Sequence, residues 1–96
     1  MIDKEKLEHG AYVLKSIAHP TRLAVIMLLQ QNEQLTVNEM VALTGCEQSL
    51  LSHHLSNMRI KGILAQKRVG TNIYYSLKAK QLFNVLECIE NCKINM

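Results

Sequence analysis

The segment Gln48-Ser49-Leu50-Leu51-Ser52-His53-His54-Leu55-Ser56 sets short polar side chains and imidazoles among leucines at helical spacing. Projected as a helix, Leu51, Leu55 and Met58 hold one side, while Ser49, Ser52, His53 and Ser56 point broadly away from it. Hydroxyl and imidazole groups bond base edges and phosphates, and a glutamine such as Gln48 can pair twice with an adenine edge. Short side chains also let a backbone sit deep in a groove. Ordinary solvent exposure is the plainer account of such a face, but it favours Lys and Glu, which are missing from it. His53 and His54 diverge by about 100° on a helix and are poorly placed to chelate one ion. His54 leans toward the packed side, where an imidazole bonded to backbone is expected.

Cys46, Cys88 and Cys92 are the thiols of the chain. Their odd number, with no export signal, opposes a disulfide framework. The start, Met1-Ile2-Asp3-Lys4-Glu5-Lys6, is charged where a signal peptide turns apolar, and no apolar run approaches the roughly 18 residues that cross a bilayer. A cytoplasmic protein is expected. Cys88 and Cys92 are four apart on the expected last helix and share one side of it. Thiolates so placed bind a soft metal or form a persulfide or disulfide; the alternative is two small hydrophobes packed at a helix edge. Two thiolates leave a tetrahedral site incomplete, so His9, from the first helix of either subunit, completes the candidate sensor set. A bond from Cys88 to Cys92 within one helix is disfavoured, because their Cβ vectors run nearly parallel. Cys46 falls at a helix corner, either as a reactive thiol or as a residue buried in the turn. No cofactor and no ready-made metal site is expected. Nor is catalysis, since there is no nucleophile with its base, no phosphate-cradling loop and no paired acid motif.

These residues need a scaffold, and 96 residues allow a single thin-cored domain that buries only about 60–70% of its unfolded surface. Hydrophobic residues nevertheless make up 48% of the sequence, so apolar surface is left over for a partner. Leu7, Ala11, Leu14 and Ala18 mark a first amphipathic helix from about Asp3, its N-cap, to Ile17. Pro20 starts a second, apolar on nearly all sides from Leu23 to Leu29, the pattern of a buried central helix. Thr36 to Glu39 forms a capping box for a short third helix that stops at Gly45. A fourth helix follows at once, and two helices joined by a short glycine-containing turn are a helix-turn-helix.

Gly62 ends the fourth helix, and Ile63 to Val69 and Ile73 to Leu77 read as strands joined by Gly70-Thr71-Asn72. This hairpin is a wing, with Lys67 and Arg68 just before its tip and Thr71 in the turn. Leu82, Val85, Leu86, Ile89 and Lys93 form one stripe of a last helix, with Phe83 beside it. From Gln48 to Leu86 there is no acidic residue, and Arg59, Lys61, Lys67, Arg68, Lys78 and Lys80 give that stretch +6, against −3 for the remainder. Such a segment suits a polyanion. The expected fold is mainly α with a small β-hairpin (α+β), a winged helix-turn-helix of five helices and a two- to three-stranded wing. First and last helices form a homodimer interface over a single domain of residues 1 to 96. Double-stranded DNA is the expected partner; a winged helix used for protein contacts without DNA is the rival.

Ser16-Ile17-Ala18-His19-Pro20-Thr21-Arg22-Leu23, the Gln48 to Leu55 segment, and Arg68-x-Gly70-x-x-x-Tyr74-Tyr75 together resemble the ArsR/SmtB family of bacterial winged-helix repressors over roughly residues 5 to 92. The resemblance implies a dimer built through the first and last helices, the fourth helix in the major groove, and repression relieved by an inducer. It implies DNA contacts from Gln48, Ser49, Ser52 and His53 and from the wing around Arg68 to Thr71. The Cys-x-Cys that some members carry at the third helix is Thr36 and Asn38 here, and no His follows His54, so both metal sites usual in the family are missing. Glu47 stands where the family often has a Ser N-cap, which implies a weaker cap and a negative charge near the phosphates.

Overall fold

A computed structural model of the chain describes residues 1–94. Helix α1 (Lys4–Ile17) is capped by Asp3, whose carboxylate accepts from the Glu5 and Lys6 N–H groups at 3.1 and 3.3 Å. Helix α2 (Pro20–Gln31) leaves it at 90°. Pro20 sits in its first turn, where no N–H is required, and His19 caps it with Nδ1 accepting from the Thr21 N–H at 3.1 Å. Helix α2 buries Val25, Ile26 and Leu29, but Leu23 and Leu28 are half-buried and Met27 is exposed, so it is not enclosed on nearly all sides as its pattern suggested.

The apolar stripe of α1 does not pack inside the chain. Leu7, Ala11, Leu14 and Ala18 are all exposed, and the helix buries only Ser16 and Ile17 in its last turn. Of the rest of α1, Val13 is half-buried against the core while most other side chains are exposed, and the molecule extends 50 × 30 × 22 Å. Its radius of gyration, 14.4 Å, exceeds the roughly 13 Å usual for 100 residues.

Strand β1 (Leu35–Thr36) leads into α3 (Val37–Thr44). The capping box is formed: Glu39 N–H donates to Thr36 Oγ1 at 3.1 Å, and Thr36 N–H donates to the Glu39 carboxylate at 2.9 Å. Gly45, at φ 70°, ends α3 in the left-handed region, and its N–H donates to the Val41 carbonyl at 2.9 Å. After Cys46 and Glu47 the chain enters α4 (Gln48–Ile60). Ile17, Val25, Ile26, Leu29, Met40, Leu51, Leu55 and Met58 are joined in the core by side chains from the sheet and the last helix.

Strands β2 (Leu64–Val69) and β3 (Asn72–Leu77) form the hairpin, paired from Leu64 with Leu77 at its base to Val69 with Asn72 at its tip. The two-residue loop Gly70-Thr71 has Gly70 at φ 64°, the positive value that hairpin turns matching strand twist require. β1 adds a third antiparallel strand in the order β1-β3-β2, through Leu35 with Tyr75 and Thr36 with Tyr74. Two residues are too short a run to announce a strand by alternation.

Helix α5 (Leu82–Glu90) ends before the stripe expected to reach Lys93. Asn91 takes the C-cap, which suits a short polar side chain better than a helix interior does. Cys92 and Lys93 therefore lie past the helix, and Cys88 and Cys92 do not share one side of a continuous helix. Among the described residues, no single helix is long and apolar enough to cross a membrane.

Candidate nucleic-acid interface

Helix α4 sorts its residues as the spacing predicts. Leu51, Leu55 and Met58 are completely buried, which fixes the rotation of the helix about its axis. Gln48, Ser49 and His53 are then exposed, with Ser52 and Ser56 half-buried at the margin. Short side chains keep this face shallow enough to admit a partner's backbone.

Glu47 corrects the expectation of a weakened cap. Its carboxylate accepts from the Ser49 N–H at 3.0 Å and the Leu50 N–H at 3.1 Å, which satisfies two orphan donors of the first turn. Those two bonds, from Ser49 first and Leu50 second, lower its pKa below the ordinary carboxylate value. The charge is therefore anchored at the start of α4 and does not swing freely.

The wing tip reaches the same place. A shallow groove of about 180 Å³ is lined by Asn38 at the start of α3, Gln48 at the start of α4, and Thr71, Asn72 and Ile73 of the wing. Gln48 and Thr71, distant in sequence, thus share one surface. Asn38 and Asn72 join them and were not among the expected contacts; their polarity is a signal, but only the pairing of β3 with β1 brings them together.

Lys67 and Arg68 are both exposed on β2, an edge strand, but on opposite faces of it. Arg68 pairs with Ile73, which lines the groove, whereas Lys67 pairs with Tyr74 on the other side. The cationic segment is also divided in space. Lys78 and Lys80 follow β3 at the base of the hairpin, with Lys78 about 20 Å from its tip at roughly 3.3 Å per residue. Lys61 lies 5.6 Å from the ring centre of Tyr12, a cation–π contact that ties the end of α4 to α1. One cationic stretch in the sequence becomes several separate positions on the surface.

Beneath α4 is a joint that binds it to the first two helices. Arg22 Nε donates to His54 Nδ1 at 2.9 Å, and Arg22 Nη1 donates to the Ser16 carbonyl at 2.9 Å. The Ser16 hydroxyl donates to the Val13 carbonyl, and the His19 ring lies 4.4 Å from that of His54. His54 is buried as expected, but it bonds to a side chain and not to backbone. Because Nδ1 accepts, the neutral ring carries its proton on Nε2, which is buried and has no partner among the described residues. Burial, followed by the charges of His19, Arg22 and His53, lowers the His54 pKa below its ordinary value. The Ser16 to Arg22 motif thus holds the angle at which α4 meets the body.

The thiols do not converge. Cys46 is half-buried against the core and its N–H donates to Thr44 Oγ1 at 3.1 Å, while Cys88, Cys92 and His9 are exposed. Among the described residues, no three His, Cys, Asp or Glu side chains are grouped to hold a metal ion. Exposed large apolar side chains include Leu7, Tyr12 and Leu14 of α1 and Ile89 of α5, besides Met27, Leu43, Leu50, Ile60 and Val69 on the other elements.

The family model described as "Bacterial regulatory protein, arsR family" matches residues 19–65, from the cap of α2 into β2. The chain is 33% identical over 88 residues to the transcriptional repressor PagR of Bacillus anthracis, covering 92% of this chain and 88% of PagR. It is 30% identical over 84 residues to the transcriptional regulator YgaV of Escherichia coli K12, covering 88% and 85% of the two chains. The crystal structure of PagR superposes with a TM-score of 0.79 at 32% identity, over 91% of this chain and 99% of that one. A DNA-binding transcriptional regulator from E. coli, predicted as such in its structure's description, superposes with a TM-score of 0.83 at 28% identity over 92% and 93%. A match across the helix-turn-helix, with identity that runs on through both outer helices, makes this chain a member of the ArsR family of DNA-binding transcriptional regulators, which are not enzymes.

Proposed function

We propose that the chain represses transcription in the cytoplasm as a homodimer joined through α1 and α5, with each copy acting as a single winged-helix domain. Gln48, Ser49, Ser52, His53 and Ser56 enter the major groove of a half-site, and Lys67, Arg68 and Thr71 of the wing contact the flanking backbone or minor groove. Two-fold symmetry then demands an imperfect palindrome with half-sites about 10 bp apart or a multiple of that. The observation that carries this reading is the groove shared by Gln48 and Thr71, which joins the polar face of α4 to the wing tip. Exposure of Leu7, Leu14 and Ile89 supports the dimer, since single copies would leave that apolar surface in water.

Relief of repression is assigned to a thiol-reactive or soft-metal signal at Cys88 and Cys92, with His9 from either subunit. Both thiols are exposed in the single chain, as access by a reagent requires. Titrating the DNA complex with zinc, arsenite, peroxide and sulfane sulfur, in the parent and in a Cys88→Ser/Cys92→Ser variant, tests that assignment. Release that is the same in both proteins removes it. For the reading helix, Ser52→Glu or His53→Glu should abolish binding to duplex DNA while the dimer persists in light scattering. Undiminished binding by either variant would mean that α4 is not the element that enters the groove.

A further inference from the structure

The base of the hairpin, away from the wing tip, holds a second and larger cavity. A cleft of about 390 Å³ opens between the end of α2, the end of β3 and the start of α5. Its apolar lining is Leu29, Leu77 and Phe83, the first two buried at the edge of the cleft with 4% and 5% of their surface exposed. Its polar lining is Gln30, Glu33, Ser76 and Lys80. Glu33 and Lys80 are exposed, carry opposite charges and, among the described residues, make no ion pair. The volume lies at the low end of the roughly 300–1,000 Å³ typical of small-molecule sites, which are apolar pockets with a few polar groups that set orientation.

We propose that this cleft binds a small zwitterion with an apolar side chain, of the class of an aromatic or branched α-amino acid, and that its occupancy regulates DNA binding. Lys80 takes the carboxylate, Glu33 takes the ammonium group, and Gln30 and Ser76 supply further hydrogen bonds. The side chain lies over Leu29, Leu77 and Phe83. A ligand of one charge alone would leave either Glu33 or Lys80 facing a like or absent charge.

The position suits an effector. Taking 100° per residue, Phe83 points about 140° from Cys88 and about 120° from Ile89, which are exposed on the outer side of α5. A dimer through that outer side leaves the cleft open. The ligand would touch α2, which carries Arg22 to α4, as well as the wing strand β3 and the dimer helix. Binding more tightly to one setting of these three elements than to another shifts the population of DNA-competent dimers. The regulatory half of this proposal rests on the function proposed above, whereas the binding half does not.

Calorimetric titration of the DNA-free protein separates the two. The probes are L-phenylalanine and L-leucine, compared with 3-phenylpropanoate, which lacks the ammonium group, and 2-phenylethylamine, which lacks the carboxylate. Saturable binding is expected for at least one amino acid and about tenfold weaker binding for the single-charge analogues. Glu33→Gln and Lys80→Gln should each weaken the amino acid by about tenfold with an unchanged melting temperature, as both side chains are exposed. No saturable binding, equal binding of the three phenyl compounds, or binding indifferent to both substitutions would overturn the site. The bound amino acid should also shift the affinity of the parent, and not of Lys80→Gln, for duplexes selected from a random pool. Ligand binding with no such shift overturns the regulatory half. A parent that fails to select any duplex condemns the proposed function instead, and leaves the calorimetry to decide the cleft.

Discussion

Substituting His54→Gln removes one titration from the joint beneath α4 while offering Arg22 another acceptor. In the parent, Arg22 Nε–H points at His54 Nδ1 across 2.9 Å, so protonating the ring sets two donors against each other. Burial is the first cause that lowers the His54 pKa in the fold, below the roughly 6.5 of an unfolded chain. The folded state then binds fewer protons than the unfolded state over the interval between the two values. Stability from this group is fully present above pH 6.5 and is lost as pH falls through 6.5 toward the lower folded value. One proton of difference amounts to about 1.4 kcal/mol per pH unit within that interval. For a chain of this size that is a drop of roughly 5–10 °C in melting temperature per pH unit. Thermal unfolding from pH 7.5 to 5, at one fixed protein concentration because the proposed dimerisation would shift the midpoint, should show this slope in the parent. In His54→Gln the slope should be shallower, by at most one proton. Parallel curves would refute the argument, because they would mean that His54 takes up its proton as readily folded as unfolded.

Arg68→Ala should reduce the steepness of DNA affinity against salt by about one ion per subunit, while Lys67→Ala, on the other face of β2, should reduce it by less. Equal reductions would detach the wing contact from the groove. Leu7→Glu with Leu14→Glu, at exposed positions of α1, should turn the dimer into a monomer in light scattering while far-ultraviolet circular dichroism stays unchanged. Glu47→Ala should lower thermal stability by removing the cap of α4, yet tighten DNA binding by removing a fixed negative charge. Weaker binding in that variant would show that the cap matters to recognition more than the charge does.

Local chemistry was legible in the residues themselves. The Thr36–Glu39 box, Pro20 in the first turn of α2, Gly45 at the corner and Gly70 in the hairpin depend on neighbours within a few positions, and each element begins or ends where they stand. The buried side of α4 was equally plain, since Leu51, Leu55 and Met58 recur at helical spacing. The ends of weaker elements were not. α5 stops at Glu90 although its pattern continues to Lys93, because apolar periodicity records a face and not a stopping point.

What the sequence determined by itself was the order of helices and hairpin, because hydrogen bonds and apolar spacing along one chain are short-range properties. Which side of each element met another was decided only in three dimensions. Leu7 and Leu14 had the spacing of a core face and were left in water, while Arg22 and His54, 32 residues apart, were joined at 2.9 Å. The division of the cations, the meeting of Gln48 with Thr71 and the cleft between Glu33 and Lys80 are of the same kind. Each depends on the angle at which helices and sheet pack, and that angle is set by the whole core at once.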